Sequence, residues 1–263
     1  MGTAILAGLM SNGVDASEVV ASTKTQATAS RLADEFGITA TATETNAAAN
    51  AEAVVDADIV LVAVKPAYVI EVLTQVAGNL KPGSLVVSVA AGITTAAMQA
   101  AVADNVAVVR AMPNTPAIVG RAVTGLAAGS RVSPEQLATA SELFESVGRV
   151  VVVGEDQIDQ LSTVSGSGPA YVFYFIEEFT KAAVELGFTP DQARMLVEET
   201  FLGASELLAA SGKTPADLRR QVTSPNGTTM QAIAVFEQAN LHALFGRATA
   251  AALARAREIA EGK

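Results

Sequence analysis

The residues with the clearest chemical potential form the segment 222–229, which reads Val-Thr-Ser-Pro-Asn-Gly-Thr-Thr. A proline and an Asn-Gly pair predict a turn, and apolar residues at helical spacing follow, so a helix should begin near Thr228. The free N–H groups and the dipole at a helix start favour an anion. Ser224, Thr228 and Thr229 add hydroxyl groups beside them. The segment therefore predicts a carboxylate site, with an ordinary Ser/Thr helix cap as the alternative.

The secondary structure that must position these groups differs between the two parts of the chain. Up to residue 153, short β-branched runs alternate with alanine-rich helical segments, which is typical of a doubly wound, Rossmann-like α/β domain with a parallel sheet. The predicted strands are residues 18–22, 38–41, 58–64, 84–90, 107–110, 122–128 and 150–153. The predicted helices between them are residues 3–11, 26–36, 46–55, 67–77, 95–102 and 134–147.

After residue 155 the strand pattern ends and the chain reads as helix throughout. We therefore predict a dinucleotide-binding domain over residues 1–155 and an all-α dimerisation and substrate domain over residues 156–263. The helix predicted for residues 169–186 is apolar around most of its circumference, and the next helix, residues 191–210, repeats this. A helical half of this size cannot easily bury the apolar surfaces of both helices. A homodimer through the helical domain is thus predicted, with higher assembly left open and a compact monomeric bundle as the alternative.

Composition limits which partners and which cellular compartment are to be expected. Lys plus Arg number 17 against 27 Asp plus Glu, and the net charge of −10 argues against unaided binding to nucleic acid or an anionic membrane. The chain has no cysteine, so we expect no disulfide framework and no thiolate metal site, and a reducing, cytoplasmic location fits best. We also expect no membrane span, no secretion and no metal site, because no apolar run, signal peptide or ligand cluster has the required pattern.

Three turns that follow predicted strands could line a cofactor site, because open α/β sheets bind ligands at the carboxyl ends of their strands. The first turn contains a cation suited to a pyrophosphate or a ribose, and consists of Ala63, Val64, Lys65 and Pro66. The second, Ala90-Ala91-Gly92, is small enough for a ligand to lie against the backbone. The third is a polar loop with two prolines, residues 110–116. Each alone could be a turn without function, but their coincidence on one sheet edge favours a site.

The choice of cofactor can be predicted from the second strand of a dinucleotide fold, which ends beside the adenosine ribose. An acidic residue there favours a free 2′-hydroxyl, whereas hydroxyls and a cation favour a 2′-phosphate. Here the predicted strand ends in Ser22, Thr23 and Lys24, without an acid. NADPH is therefore predicted over NADH, with a solvated turn as the alternative.

One expected motif is missing. A Gly-x-Gly-x-x-Gly fingerprint should follow a first strand, yet the chain opens at Met1-Gly2-Thr3 and runs into a predicted helix. Gly2 matches only the last glycine of such a fingerprint. We expect either that the start has been placed too far downstream or that the sheet lacks its central strand, which would expose strand edges and remove the pyrophosphate turn.

Taken together, the chain resembles the pyrroline-5-carboxylate reductase family, which catalyses the last step of proline biosynthesis. The stretches that carry the resemblance are residues 62–66, 109–116, 165–171 and 218–237. It implies a dinucleotide fold, a helical domain that interlocks with a partner, and active sites built from two chains. It also implies reduction of (S)-1-pyrroline-5-carboxylate to L-proline with NADPH or NADH. A related cyclic imine, or a shortened chain that dimerises without binding cofactor, remains as an alternative.

The resemblance also implies individual site residues. The cofactor positions are Gly2, Ser22, Lys24, Asn50, Ala63, Val64, Lys65, Pro66, Ala90, Ala91 and Asn114, the last three at the nicotinamide end. The substrate positions are Ser165, Ser167, Ser224, Gly227, Thr228 and Thr229. Asn226 stands where glycine is common in the family, a mild departure because asparagine also tolerates positive φ.

The candidate catalytic residue is Thr229, whose hydroxyl we expect to orient the imine nitrogen, since it is too weak an acid to be the sole proton source. The single histidine, His242, is expected to be structural or solvent-facing. A rival class, the β-hydroxyacid dehydrogenases, depends on a lysine in the helical domain. Here only Lys181, Lys213 and Lys263 are available, and none stands in a glycine-rich setting.

Overall fold

The computed structural model describes residues 1–260, with side chains up to residue 258. The chain divides into two compact units, the first formed by Met1–Ser167 and the segment that starts at Leu253, the second by Gly168–Ala252. The boundary between the two compact units, after Ser167, differs from the domain boundary predicted at 155/156. The latter remains a prediction.

The first unit alternates helices and strands. Its strands are β1 (Val20–Thr23), β2 (Thr39–Ala42), β3 (Ile59–Val62), β4 (Leu85–Ser88), β5 (Ala107–Met112), β6 (Ala122–Ala128) and β7 (Gly148–Val152). Its helices are α1 (Gly2–Ser11), α2 (Gln26–Phe36), α3 (Ala49–Ala53), α4 (Val69–Val76), α5 (Thr95–Ala100), α6 (Pro134–Glu145) and α7 (Glu155–Leu161), the last followed by a π-helical turn, Ser162–Gly166.

These strands form two separate sheets. β1 pairs with β2 in parallel, and the other sheet has the order β3-β4-β5-β6-β7. Within residues 1–260, β1 and β3 therefore each have one edge without a strand partner. In the doubly wound order 3-2-1-4-5-6, those two edges flank the first strand of the fold. The division thus lies where the sequence predicts a gap.

Helix α1 spans this division. Ile5 packs into the cluster that contains Leu85 and Val87 of the larger sheet. Its neighbour Leu6 packs with Leu32 and Ile38 beside the smaller sheet. Adjacent residues of one helix therefore contact the apolar layers of both sheets.

The larger sheet is covered on both faces, as alternation along its strands requires. Leu85 and Val87 of β4 share one apolar cluster with Phe144 of α6. The intervening Val86 belongs to the opposite cluster, with Met98 of α5. This three-layer arrangement is the doubly wound architecture that the sequence predicts.

The sheet is not parallel throughout, and that part of the prediction is wrong. β6 runs antiparallel to β5, with Arg110 opposite Ala127, and β7 runs parallel to β6. The physical reason is the connection between β5 and β6, a short loop with a 3₁₀ turn, Thr115–Val119, where a parallel pair would need a crossover helix.

The boundaries of most elements agree with prediction to within a few residues. α2 and β6 match residue for residue. β5 was predicted to end at Arg110 but continues to Met112, because its ladder with β6 extends to the pair Met112 and Gly125. The helix predicted at 67–77 begins instead with a 3₁₀ turn, Pro66–Tyr68, before α4.

The second unit is helical. It contains α8 (Gly168–Glu185), α9 (Pro190–Ser211), α10 (Pro215–Gln221), α11 (Thr228–Gln238) and most of α12 (Leu241–Ala260). Its buried cluster consists of Ala183, Ala193 and Val197, with Ile176 and Phe201 partly buried against it. Many of its other large apolar side chains are exposed, among them Val172, Phe173, Tyr174, Phe179, Met195, Leu202, Leu207, Val235 and Phe236. Among the described residues, no helix combines the length and apolar character needed to cross a bilayer.

Candidate active site

Helix α11 begins at the predicted place, directly after a tight turn. The N–H of Gly227 donates to the carbonyl oxygen of Ser224 at 3.0 Å, and Asn226 between them has a φ of +59°. A Cβ on Gly227 would lie 2.4 Å from Oγ of Ser224. Glycine at this position therefore lets the serine hydroxyl lie against the start of the helix.

The N-terminus of α11 carries free donors. α9 and α10 each begin with a threonine, Thr189 or Thr214, whose Oγ1 accepts a backbone N–H, but α11 has no such cap and no acid in its first turn. Within the described part of the chain, the N–H groups and hydroxyls of Thr228 and Thr229 have no hydrogen-bond acceptor. The Ser/Thr-cap alternative is therefore wrong for α11, and its donors are available to an anion.

The other two predicted substrate residues lie in the first unit, in and beside the π-helical turn. Oγ of Ser165 donates to the carbonyl oxygen of Leu161 at 3.2 Å, and the N–H of Ser167 donates to that of Ser162 at 2.8 Å. The carbonyl oxygen of Ser165 accepts a hydrogen bond from Asn114. The turn is thus held both internally and from the loop after β5.

The predicted cofactor residues that follow β3, β4 and β5 lie at one edge of the larger sheet, since these strands are parallel, whereas Ser22, Lys24 and Asn50 lie beside the smaller sheet. Lys65 is exposed and has no ion pair among the described residues. Ala63 lies against the start of α1: a Cβ on Gly2 would be 3.0 Å from the Cβ of Ala63. At the end of β4, Ala90 is buried and Ala91 is exposed.

At the end of β1 the structure joins two predicted residues and adds one that the sequence did not reveal. Oγ of Ser22 donates to Oδ1 of Asn50 at 2.7 Å. Nδ2 of Asn50 in turn donates to Oε1 of Gln75 at 3.0 Å. Gln75 lies on α4, far from both in sequence, so no local pattern could have identified it.

An acidic side chain also lies near the end of β1. Glu44, which follows β2, accepts a hydrogen bond at 2.9 Å from the N–H of Gln26 at the start of α2. Its own N–H donates to the carbonyl oxygen of Lys24 at 3.1 Å. The prediction that no acidic residue lies at this strand end holds for β1 itself. The parallel pairing of β1 with β2 nevertheless brings Glu44 to the same place.

A buried charge network lies at the end of β5. Arg110 is only 3% exposed, and its Nη2 lies 2.6 Å from Oδ1 of Asp159 on α7. Glu155 lies 3.9 Å from Nη1 and accepts a 2.6 Å hydrogen bond from the N–H of Thr95. An arginine within an apolar run was the available sequence signal, because a buried charge requires a partner.

Replacement of Asp159 by alanine should destabilise the protein. The change leaves Arg110 buried with only the more distant Glu155, and breaking such a pair costs about 3 kcal/mol. Thermal unfolding followed by circular dichroism should show Tm falling by roughly 6–12 °C for a domain of this size.

The control is Asp156→Ala on the same helix. It removes an exposed carboxylate that has no ion pair among the described residues. It should shift Tm by no more than about 2 °C, as is usual for a surface substitution. Equal losses in the two variants would show that the buried pair contributes nothing particular.

His242 is exposed near the start of α12, which agrees with a solvent-facing histidine. Among the described residues, no three His, Cys, Asp or Glu side chains are grouped as metal ligands would be.

Two family models match the chain. Pyrroline-5-carboxylate reductase dimerisation matches residues 155–259, and NADP oxidoreductase, coenzyme F420-dependent, matches residues 1–92. A curated pyrroline-5-carboxylate reductase of Pseudomonas aeruginosa is 40% identical over 99% of this chain and 94% of its own length. This chain belongs to the pyrroline-5-carboxylate reductase family. The Escherichia coli (strain K12) member is 38% identical over 92% of this chain and 88% of its own length.

Solved structures agree with this family. A pyrroline-5-carboxylate reductase from Coxiella burnetii has a TM-score of 0.92 at 36% identity and covers 98% of this chain and 94% of its own. A Plasmodium falciparum pyrroline carboxylate reductase with NADP bound has a TM-score of 0.81 at 23% identity, covering 99% and 94% respectively, and supports the fold alone.

The two matched regions divide the candidate site residues. The match to the oxidoreductase model contains Gly2, the residues at the ends of β1 and β3, and Ala90 with Ala91. The dimerisation match contains Ser165, Ser167 and the whole turn before α11. Asn114 lies in neither match, so its role must be argued from its own contacts.

Proposed function

We propose that this chain reduces (S)-1-pyrroline-5-carboxylate to L-proline, the last step of proline biosynthesis, with NADPH or NADH. The observation that carries the proposal is the uncapped N-terminus of α11 with the hydroxyls of Ser224, Thr228 and Thr229 beside it. The substrate has one carboxylate, which is the kind of anion that such a helix start binds. This segment lies within the region that matches the family's dimerisation model.

The residues at the strand ends fit a nicotinamide dinucleotide. Lys65 is an unpaired cation at the end of β3, and the small side chain of Ala63 permits close approach to the backbone. Ser22 and Asn50 offer polar groups at the end of β1. Bound NADPH or NADH would supply a hydride for the C=N carbon of the substrate.

The protein's own contribution is to bind and orient. The N–H groups at the start of α11 would hold the carboxylate, and the Thr229 hydroxyl would hydrogen-bond the imine nitrogen. A protonated imine is already electrophilic, so placing it correctly matters more than a strong acid in the site. Thr229 is accordingly proposed as an orienting residue.

Replacement of Thr229 by valine tests this role. The variant keeps the shape but loses the hydroxyl, so KM for pyrroline-5-carboxylate should rise and kcat/KM should fall by about 10-fold or more, the scale of one to two charge-assisted hydrogen bonds. Steady-state NADPH oxidation measures both constants.

Two further variants give the comparison. Thr229→Ser keeps a hydroxyl and should stay within about threefold of the unaltered protein, since the hydrogen bond is retained. Thr249→Val removes a hydroxyl that donates to the carbonyl oxygen of Phe245 in α12, and should leave the kinetics unchanged. Unaltered kinetics for Thr229→Val would remove Thr229 from the site.

NADPH is the proposed cofactor in preference to NADH. Lys24 is exposed without an ion pair among the described residues, and the carboxylate of Glu44 is already bound by the N–H of Gln26. A cation is therefore available to a 2′-phosphate at the end of β1. The ratio of kcat/KM for the two cofactors measures the preference.

A homodimer through the helical region is also proposed, with the functional domains divided at 155/156. The exposed apolar side chains of α8 and α9 support it, as does the dimerisation match that starts at residue 155. We further propose a cytoplasmic location, because a chain without cysteine fits a reducing compartment.

The separation of the two sheets favours a second candidate: residues 1–263 dimerise but do not bind cofactor. The turn that would cradle a pyrophosphate is not formed between β1 and β3 in the described residues. Direct titration of NADPH decides between the two. A related cyclic imine as substrate is a separate alternative, which competition kinetics against pyrroline-5-carboxylate would reveal.

A further inference from the structure

Asn114 lies in the loop after β5, only 8% exposed, and its carboxamide joins two segments of the first unit. Oδ1 accepts a hydrogen bond from the N–H of Val123 at 2.9 Å, and Nδ2 donates to the carbonyl oxygen of Ser165 at 2.8 Å. A backbone N–H can only donate and a carbonyl can only accept, so these partners fix the orientation of the carboxamide. Asn114 thus ties β6 to the π-helical turn.

The turn that Asn114 holds is tightly packed. A Cβ on Gly166 would lie 2.9 Å from Oγ of Ser162 and 3.4 Å from Cε of Met112. Met112 is the last residue of β5, so the turn lies directly against the end of that strand. Since π-helical turns are rare and irregular, outside contacts such as that of Asn114 help to hold their shape.

A second anchor holds α7, which leads into the same turn. The buried Arg110 of β5 pairs with Asp159 on α7 at 2.6 Å. Leu161 of α7 packs on β6, where a Cβ on Gly125 would lie 2.6 Å from its Cδ1. With α7 fixed to the sheet by these contacts, Asn114 adds a hydrogen bond from the loop after β5 to the far end of the turn.

We propose that Asn114 is a positioning residue for the reduction: its carboxamide sets where Ser165 and Ser167 lie. The inference rests on the proposed function, because the positions of these serines matter only if they face the substrate. It differs from the sequence-based expectation that Asn114 approaches the cofactor, because the two hydrogen bonds of the carboxamide go to backbone groups of Val123 and Ser165.

Asn114→Asp is the decisive variant because it replaces only the amide nitrogen of the side chain by an oxygen. An ionised carboxylate still accepts from the N–H of Val123 but cannot donate to Ser165, whereas a protonated carboxyl group can do both. At pH 8 we expect KM for pyrroline-5-carboxylate to rise about 10-fold or more, with KM for NADPH within about twofold, because a donor to a buried carbonyl is lost. Burial beside a carbonyl oxygen raises the pKa of the introduced carboxyl group, so at pH 5.5 the ratio to the unaltered protein should fall back towards one.

The pH comparison is made against the unaltered protein at each pH. The charged groups on the elements around Asn114 are Arg110, Arg121, Arg149, Glu155, Asp156 and Asp159, and both proteins contain them. Asn114→Ala, which cannot donate at any pH, should show no recovery at pH 5.5. Asn105→Asp places the same charge at an exposed position of the same unit and should match the unaltered protein at both pH values.

Hydrogen exchange gives a readout that does not depend on the reaction. At pH 8 the amide of Ser167, bound to the carbonyl oxygen of Ser162, should exchange at least about 10-fold faster in Asn114→Asp, with amides of β4 unchanged. An inactive unaltered protein would sink the proposed function and leave this measurement intact. If the unaltered protein is active, unchanged exchange or an unchanged substrate KM would each overturn the positioning role.

Discussion

A chain extended ahead of Met1 by an apolar strand ending in Gly-x-Gly should bind NADPH at least about 100-fold more tightly than residues 1–263 alone. The added strand has unpaired edges of β1 and β3 on either side of it, and α1 already contacts both sheets. The glycines would place backbone donors at the start of α1. Two charge-assisted hydrogen bonds to the pyrophosphate account for a change of this size, about 2.7 kcal/mol. Titration followed by NADPH fluorescence measures both dissociation constants.

The matched control is an extension of equal length ending in Val-x-Val. It can pair with both edges and should raise Tm, but its side chains prevent close approach of the pyrophosphate, so NADPH binding should stay weak. Equal binding by the unextended chain would refute the idea that the gap limits cofactor binding. It would also remove the main support for the cofactor-free alternative.

Introducing a charge on the exposed apolar surface of α8 should break the dimer. Phe173 is 65% exposed and Phe179 is 50% exposed. If a second copy covers them, a buried unpaired glutamate at either position would cost several kcal/mol, enough to raise the dimer dissociation constant by about 1000-fold. Sedimentation velocity on Phe173→Glu and Phe179→Glu over a range of concentrations measures the shift.

Phe173→Leu and Phe179→Leu keep an apolar side chain and should remain dimeric. The two phenylalanines point to different sides of the helix, so at least one glutamate variant should yield monomers. Dimers in both glutamate variants, as stable as those of the unaltered chain, would contradict an interface through α8.

Periodicity predicted most elements because each pattern was local. The helix at Gln26–Phe36 has apolar residues on one face and a glycine after its end, and the strand Ala122–Ala128 is a run of small and β-branched residues. The turn before α11 was likewise readable, since its proline, Asn-Gly pair and hydroxyls are contiguous. Local chemistry of this kind needs no knowledge of distant contacts.

The missed features all depend on distant residues. The direction of β6 follows from its short connection to β5, and the residue types within a strand do not show whether it pairs in parallel or antiparallel. Glu44 reaches the end of β1 only through the pairing of β1 with β2. The two backbone partners of Asn114 are 9 and 51 residues away, so no local pattern could have shown them.

The small core of the second unit links folding to the amount of protein present. With only Ala183, Ala193 and Val197 buried in its apolar cluster, much of its stability would have to come from association with a second chain. Each tenfold dilution would then remove about 1.4 kcal/mol from the free energy of unfolding per dimer, by mass action alone. How much of the chain is folded would thus be set partly by how much of it is synthesised.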